Sequence, residues 1–190
     1  MNVYFDIGCH VGYYAFMWTR NPHNMVYAFE PVPELYLKLK EKESEHRNFK
    51  VFNYAICENN GESFFNINDN LATCSLKEFS AGYTAFNTLQ KIKVETKRLD
   101  TFCDEMGIDK IHLLKSDAQG SDLEVIKSMG EKIKNCDALL IEAFITDPDD
   151  CVYKDEVKKN QVIEYLKEKG FSLQNEAIDG NYADLTFVKN

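Results

Sequence analysis

Residues 3–12, Val-Tyr-Phe-Asp-Ile-Gly-Cys-His-Val-Gly, limit the possible folds more than any other stretch. The segment opens apolar and β-prone and then breaks at Gly8 and Gly12. The run Tyr13-Tyr14-Ala15-Phe16-Met17-Trp18 that follows suits a buried helix. The pattern predicts a strand near 3–7, a glycine loop and a helix near 12–20. The start of such a helix presents unpaired backbone N–H groups and the positive end of a dipole, a natural seat for an anion. Gly8 and Gly12 allow the backbone to bend and to approach a ligand closely. A second strand, 25–30, ends in Glu30 and is followed by Pro31. A carboxylate at that place can accept both hydroxyls of a ribose, so the opening strand pair reads as a nucleoside site.

The rest of the chain alternates strand and helix. Pro33 suits the first turn of a charged helix near 33–45, and Lys50–Ile56 reads as a third strand. Residues 62–67 and 91–97 alternate as strands that can pair antiparallel, with the turn Glu58-Asn-Asn-Gly61 before them. Between them, 68–90 is polar with spaced aromatics, including Phe79, Tyr83 and Phe86. A loop of that length in a compact domain reads as a lid. A short helix over Leu99–Met106 stops at Gly107, and a strand over Ile111–Asp117 follows. A turn at Gly120 leads to a helix over Ser121–Met129 that Ser121 could cap. Asp137–Phe144 is almost unbroken apolar, as expected near a sheet centre. A helix near 154–169 ends at Gly170, and two strands, 171–177 and 182–188, are joined by too short a connection to be anything but antiparallel. The expected architecture is α/β: a single doubly wound, mostly parallel seven-stranded sheet with a reversed last strand, carrying a small β insertion and lid around 58–98. With 190 residues, 44% hydrophobic, the chain reads as one domain over 1–190.

Charge narrows the partners. The formal net charge is −9 and no basic stripe is present, which argues against nucleic acid and favours a small-molecule or glycan partner. The six cysteines, at 9, 57, 74, 103, 136 and 151, show no C-x-x-C spacing and read as scattered thiols of a reducing compartment, not as a zinc site. No apolar run reaches the length of a membrane span and no signal peptide precedes the first strand, so a cytoplasmic protein is expected. Oligomeric state is not readable from the sequence.

A dinucleotide site would show G-x-G-x-x-G here, but the pattern is Asp6-x-Gly8-x-x-x-Gly12, with Cys9, His10 and Val11 where close approach to a pyrophosphate needs small residues. The motifs, in order, are Asp6–Tyr14, Ala28-Phe-Glu-Pro31, Asn53-Tyr-Ala-Ile56 with Gly61, and Leu71–Leu76. Val94–Asp100, Leu114-Lys-Ser-Asp-Ala-Gln-Gly120 and Leu123-Glu-Val-Ile126 follow. In this order the chain resembles the FkbM family of methyltransferases, within the class I, Rossmann-like fold, to which the reversed last strand also belongs. The resemblance implies S-adenosylmethionine as cofactor. It implies that Asp6, Gly8 and Gly12 shape the methionine end of the pocket, with Cys9 and His10 filling the loop between them. It places Glu30 on the ribose, Asn53–Ala55 near the adenine and Asp117 beside the reactive methyl. Members are typically O-methyltransferases acting on sugars or other hydroxylated metabolites. Two departures from the family stand out: Cys9-His10 replace a small residue and Asn, and Gln119 stands where Glu is usual.

Methyl transfer to a hydroxyl needs an aligned acceptor oxygen and a group to take its proton. Asp117, just past a parallel strand, is the first candidate for that base, and His10, an imidazole in the glycine loop, the second. Glu142 could face the acceptor, as could Gln119, Ser75 and Tyr83, while Lys115 reads as a structural partner for a carboxylate. Asp117 and Glu142 could hold a hard cation, but no dense carboxylate cluster supports one, and no metal is expected. Asp147, Asp149 and Asp150 form an acid-rich turn at the expected pocket mouth. The alternatives to an O-methyltransferase are a nicotinamide-dependent oxidoreductase and a non-catalytic cofactor-binding module.

Overall fold

The computed structural model describes residues 1–145 and 151–190. The acid-rich turn at Asp147, Asp149 and Asp150 lies outside the described residues. Among the described residues, ten strands and five α-helices follow one another as β1 (Asn2–Ile7), α1 (Tyr13–Thr19), β2 (Asn24–Phe29), α2 (Pro33–Lys42), β3 (Phe49–Phe52), β4 (Tyr54–Ile56), β5 (Gly61–Asn68), β6 (Thr88–Lys97), α3 (Leu99–Met106), β7 (Ile111–Ser116), α4 (Asp122–Lys127), β8 (Cys136–Phe144), α5 (Lys159–Glu168), β9 (Phe171–Asp179) and β10 (Tyr182–Lys189). Seven of the strands form one sheet in the order β3-β2-β1-β7-β8-β10-β9. All neighbours are parallel except β10, which runs antiparallel to both β8 and β9. The reversed strand expected from the short 180–181 connection is therefore present, inserted between β8 and the edge.

Alternation along each strand divides the core into two layers. In β2, Val26 and Ala28 point to the cluster built with Ala15 and Trp18 of α1 and Leu39 of α2. Tyr27 and Phe29 point the other way, to the larger cluster with Phe102 of α3, Ile126 of α4 and Leu166 of α5. Phe102 sits at the centre of that face, its ring 4.8 Å from Phe29 and 4.9 Å from Phe52, both edge-on. Such pairs add direction to burial that is otherwise non-directional.

The expected third strand, 50–56, is two strands in two sheets. β3 joins the main sheet beside β2, whereas β4 pairs with β6, which also holds β5 antiparallel. The break is Asn53, whose Nδ2 donates to the carbonyls of Glu30 (2.8 Å) and Pro31 (3.1 Å) and so turns the chain away from the ladder. The three-stranded sheet has its own core of Val32, Leu35, Ala55, Phe65, Ile67 and Val94. It stands over the ends of β1 and β2 and forms a wall of the cavity described below.

Two helix starts differ from expectation. Ser121 occupies the cap position of α4, but its side chain makes no capping bond. Asp122, buried one residue later, does the turn's work: its Oδ1 accepts from Ser116 Oγ (2.6 Å) and from the Ala118 N–H (2.8 Å). The helix near 154–169 begins only at Lys159, because 151–156 is a strap bonded to residues 78–80, with Ser80 N–H on the Val152 carbonyl and Lys154 N–H on that of Glu78.

Candidate active site

A cavity of about 300 Å³ opens at the C-terminal ends of β1, β2, β7 and β8. Open parallel sheets place ligands here because the loops after the strands diverge at the point where strand order reverses.

Its floor is the glycine loop. Gly8 has φ +68°, and a Cβ built on it would lie 2.0 Å from the Asp117 carbonyl oxygen. Only a residue without a side chain lets the β1 and β7 loops approach that closely, so Gly8 is what brings Asp117 to the loop. Gly12, at φ +82°, is the first residue before α1, and a Cβ there would strike Phe16 and Leu39. The seat expected for an external anion at the start of α1 is filled from within the chain. Asp6 Oδ2 accepts from Ala15 N–H at 3.0 Å, reaching the third residue of the helix from the neighbouring strand. Asp6 Oδ1 accepts no hydrogen bond and lies 3.6 Å from Lys115 Nζ. Burial outweighs that cation and raises the Asp6 carboxyl to about 6.

Glu30 closes β2 and is 4% exposed. Its Oε2 accepts from the His10 N–H (2.8 Å) and its Oε1 from the Val32 N–H (2.9 Å). The acid and the glycine bend are thus in direct contact, and His10 is held in the left-handed region at φ 51°. Burial pushes the Glu30 carboxyl up to about 7 despite both backbone donors. A carboxylate oxygen can accept two hydrogen bonds, so each Glu30 oxygen keeps one free place toward the cavity.

The far side of the cavity carries a second polar group. Asp117 and Glu142 both line it, and Gln119 stands between them, its Nε2 donating to Asp117 Oδ1 (2.8 Å) and to Glu142 Oε2 (3.0 Å). Lys115 Nζ lies 3.2 Å from Asp117 Oδ2. Burial works against the lysine's charge, but Asp117 and Asp6 outweigh it and hold it well above the ordinary range. Burial, followed by the charges of Asp117, Asp122 and Asp184, pushes the Glu142 carboxyl far above the usual carboxylate range.

Of the residues singled out in the sequence, Gly8, His10, Glu30, Ala55, Asp117, Gln119 and Glu142 line the cavity. Asp6, Cys9 and Gly12 lie behind it, where they shape the loop. Asn53 shapes the end of β2 through its two carbonyl bonds. Ser75 is fully buried and its Oγ donates to the Gln119 carbonyl at 2.7 Å, so its hydroxyl is committed to the protein. Tyr83 is not part of the lining. It packs on Phe79, 4.8 Å away, and Phe79 stacks on Tyr153. The aromatics expected to form a lid build a small side core instead, because the 151–156 strap offers them a partner. Sequence reasoning missed the apolar walls Val32 and Phe65 and gave Leu71 and Leu76, which bound one of the motifs, no individual role in the site. The alternation of β5 held the one usable signal, for Phe65. Among the described residues no group of three or more His, Cys, Asp or Glu is placed to hold a metal, and no helix is long and apolar enough to cross a membrane.

The donor chemistry fits a nucleoside cofactor. Glu30 offers two oxygens to vicinal hydroxyls, and Val32, Ile56 and Phe65 supply apolar faces for a base beside it. Sheet order, reversed β10 and this site together define a class I methyltransferase. Solved structures agree on the fold. Fibrillarin from Aeropyrum pernix, in complex with S-adenosyl-L-methionine, matches with TM-score 0.55 at 11% identity over 98% of this chain and 66% of that one. A precorrin-6y C5,15-methyltransferase from Geobacter metallireducens matches with TM-score 0.53 at 11% identity, over 100% and 80%. The methyltransferase FkbM domain matches residues 6–173, and the chain belongs to that family. Its cofactor is S-adenosylmethionine, which sets aside the nicotinamide alternative. A curated relative, the 2-O-methyltransferase NoeI of Sinorhizobium fredii (strain NBRC 101917 / NGR234), is 29% identical over 136 residues, 65% of this chain. The chain spans 56% of that relative's length.

Proposed function

We propose that the chain, as one domain over 1–190, transfers a methyl group to a hydroxyl of a sugar, glycan or similar small hydroxylated metabolite. The observation that carries this is that Asp117 lines the same cavity as Glu30, from the strand on the other side of β1, with its side chain about one-third open. The relative named for 2-O-methylation supports an oxygen acceptor. The net charge of −9 supports a neutral acceptor over nucleic acid. A cytoplasmic location and small-molecule or glycan partners belong to the same proposal.

When bound, S-adenosylmethionine supplies an electrophilic methyl and a neutral thioether leaving group. The chain's part is alignment and proton handling. Glu30 accepts the ribose hydroxyls while its two backbone bonds hold the loop in place. Asp117 keeps one free acceptor place on each oxygen, since Lys115 and Gln119 take one each. A hydroxyl donating there would be oriented by the bond and would have a base beside its proton. Glu142, protonated, donates to a second oxygen of the acceptor and fixes its orientation, as a neutral carboxyl can. His10 lines the same cavity and remains the second base candidate.

The test is transfer of labelled methyl from S-adenosylmethionine to a panel of mono- and oligosaccharides. Wild type should label at least one. Asp117→Asn should lose about 10²-fold or more in turnover while binding the cofactor as before. Cofactor binding with no labelling of any hydroxylated acceptor would instead favour the non-catalytic module.

A further inference from the structure

Tyr153 lies outside every motif of the sequence and does not line the cavity, yet it is fully buried at the back of the acceptor wall. Its hydroxyl is 2.9 Å from Gln119 Oε1 and 2.8 Å from the Thr73 carbonyl, one proton facing two acceptors. Its ring lies on Gly120: a Cβ built there would come within 3.1 Å of the ring, at a backbone φ of +88°. The turn that carries Asp117 and Gln119 thus leaves room for this ring. The strap that carries Tyr153 is anchored on the opposite side by Glu156. Its Oε2 accepts from the Val152 and Tyr153 N–H groups, and its Oε1 accepts from Tyr182 Oη on β10.

Gln119 has to choose a direction. It sits at φ 51°, a strained position for a residue with a side chain, and Ser75 holds its carbonyl. Its amide can face Asp117 and Glu142 with nitrogen or with oxygen. Nitrogen gives both carboxyl groups a donor. Oxygen would press a lone pair on Asp117 Oδ1 and take away that oxygen's donor, leaving the carboxylate only Lys115 on Oδ2. Toward Tyr153 the hydroxyl proton is shared between Gln119 Oε1 and the Thr73 carbonyl, so its hold on amide oxygen adds to the demand of the Asp117 carboxylate for a donor on the other side.

We propose that Tyr153 is a positioning residue of the acceptor site: its hydroxyl locks the Gln119 amide with nitrogen toward Asp117 and Glu142, tying the pair's geometry to assembly of the 71–80 and 151–156 segments. This rests on the reading of Asp117 as the acceptor-side group. The lock itself is observable without turnover.

The chain has four glutamines, Gln90, Gln119, Gln161 and Gln174, so selective ¹⁵N-glutamine labelling gives four side-chain NH₂ pairs, and Gln119→Glu identifies one by its loss. In wild type that pair should exchange slowly with solvent. In Tyr153→Phe, which keeps the ring and removes one oxygen, exchange should quicken by about tenfold or more as the amide is freed. Affinity for S-adenosylhomocysteine, by calorimetry, should stay unchanged. On any saccharide labelled by wild type, kcat should fall while the KM for S-adenosylmethionine holds. Gly120→Ala, which displaces the ring without removing the hydroxyl, should quicken the same exchange to a lesser extent and decides the matter if Tyr153→Phe does not fold. An unchanged Gln119 pair in a folded Tyr153→Phe variant overturns the proposal. Loss of methyl transfer in wild type would count against the proposed function alone.

Discussion

Glu30 shows how one side chain can serve both fold and site. Its carboxylate ends a strand, pins the His10 and Val32 N–H groups, and still offers a free place on each oxygen. If Glu30 holds the ribose as proposed, Glu30→Ala would remove charged hydrogen bonds to the cofactor and loosen the loop beside it, and affinity for S-adenosylmethionine should drop by roughly 1.5–3 kcal/mol. Calorimetry reads this directly, and an unchanged affinity would mean the ribose lies elsewhere. Gly8 works by lacking a side chain. With its hypothetical Cβ 2.0 Å from a backbone oxygen and φ at +68°, Gly8→Ala must push the β7 loop away. A loss of about 3 kcal/mol or more in a denaturant titration is expected, together with weaker cofactor binding, since Asp117 moves with the loop. A variant as stable as wild type would show that the two loops separate without cost.

At the scale of elements, the decisive event is the division of 49–56 between two sheets. Residues 50–56 look like one strand because apolar and β-prone residues run through Asn53 without a glycine or proline. Periodicity cannot show that the Asn53 amide finds the Glu30 and Pro31 carbonyls across the sheet. The split puts Ala55 and Ile56 on the cavity wall and lets β4 open the second sheet. Asn53→Ala strands two carbonyls and should cost about 1–3 kcal/mol. Hydrogen exchange at Tyr54–Ile56 should quicken more than at β1. Uniform exchange across both would show that Asn53 is not the hinge between the sheets. The strap at 152–156 teaches the same lesson: its irregular chain has no period to read, and its structure comes from partners in 73–80 and β10.

Across the whole molecule, buried acid couples stability to pH. Asp6 is raised to about 6, Glu30 and Asp122 each to about 7, and Glu142 higher still, each chiefly by burial. The native chain therefore holds protons that the unfolded chain has already released. Stability from these groups is fully present below their unfolded values, near 4, and is lost as pH climbs through their folded values. The melting temperature should fall between pH 5 and 8, more steeply than in Glu30→Gln, and saturating S-adenosylmethionine should reduce the fall by supplying Glu30 with hydroxyl donors. A melting temperature that rises over this range would remove the basis for these assignments.

Much of the fold was legible because its signals are local. Apolar alternation marks strands, Gly107 and Gly170 end their helices, and the tight 180–181 turn forces β10 to run against β9. The glycine loop and Glu30 were legible for the same reason, being one strand, one turn and the next strand end. What only the tertiary structure decided is how side chains far apart in the chain share one small space. Asp6 fills the helix start that looked open to a ligand, Ser75 and Tyr153 converge on Gln119, and Asp117 and Glu142 share that residue's amide. Backbone pattern follows from each residue's own conformational limits, which the sequence states outright. The ionisation and aim of a buried polar group depend on which partners reach it and how much water they displace, and those are set only when the chain closes on itself.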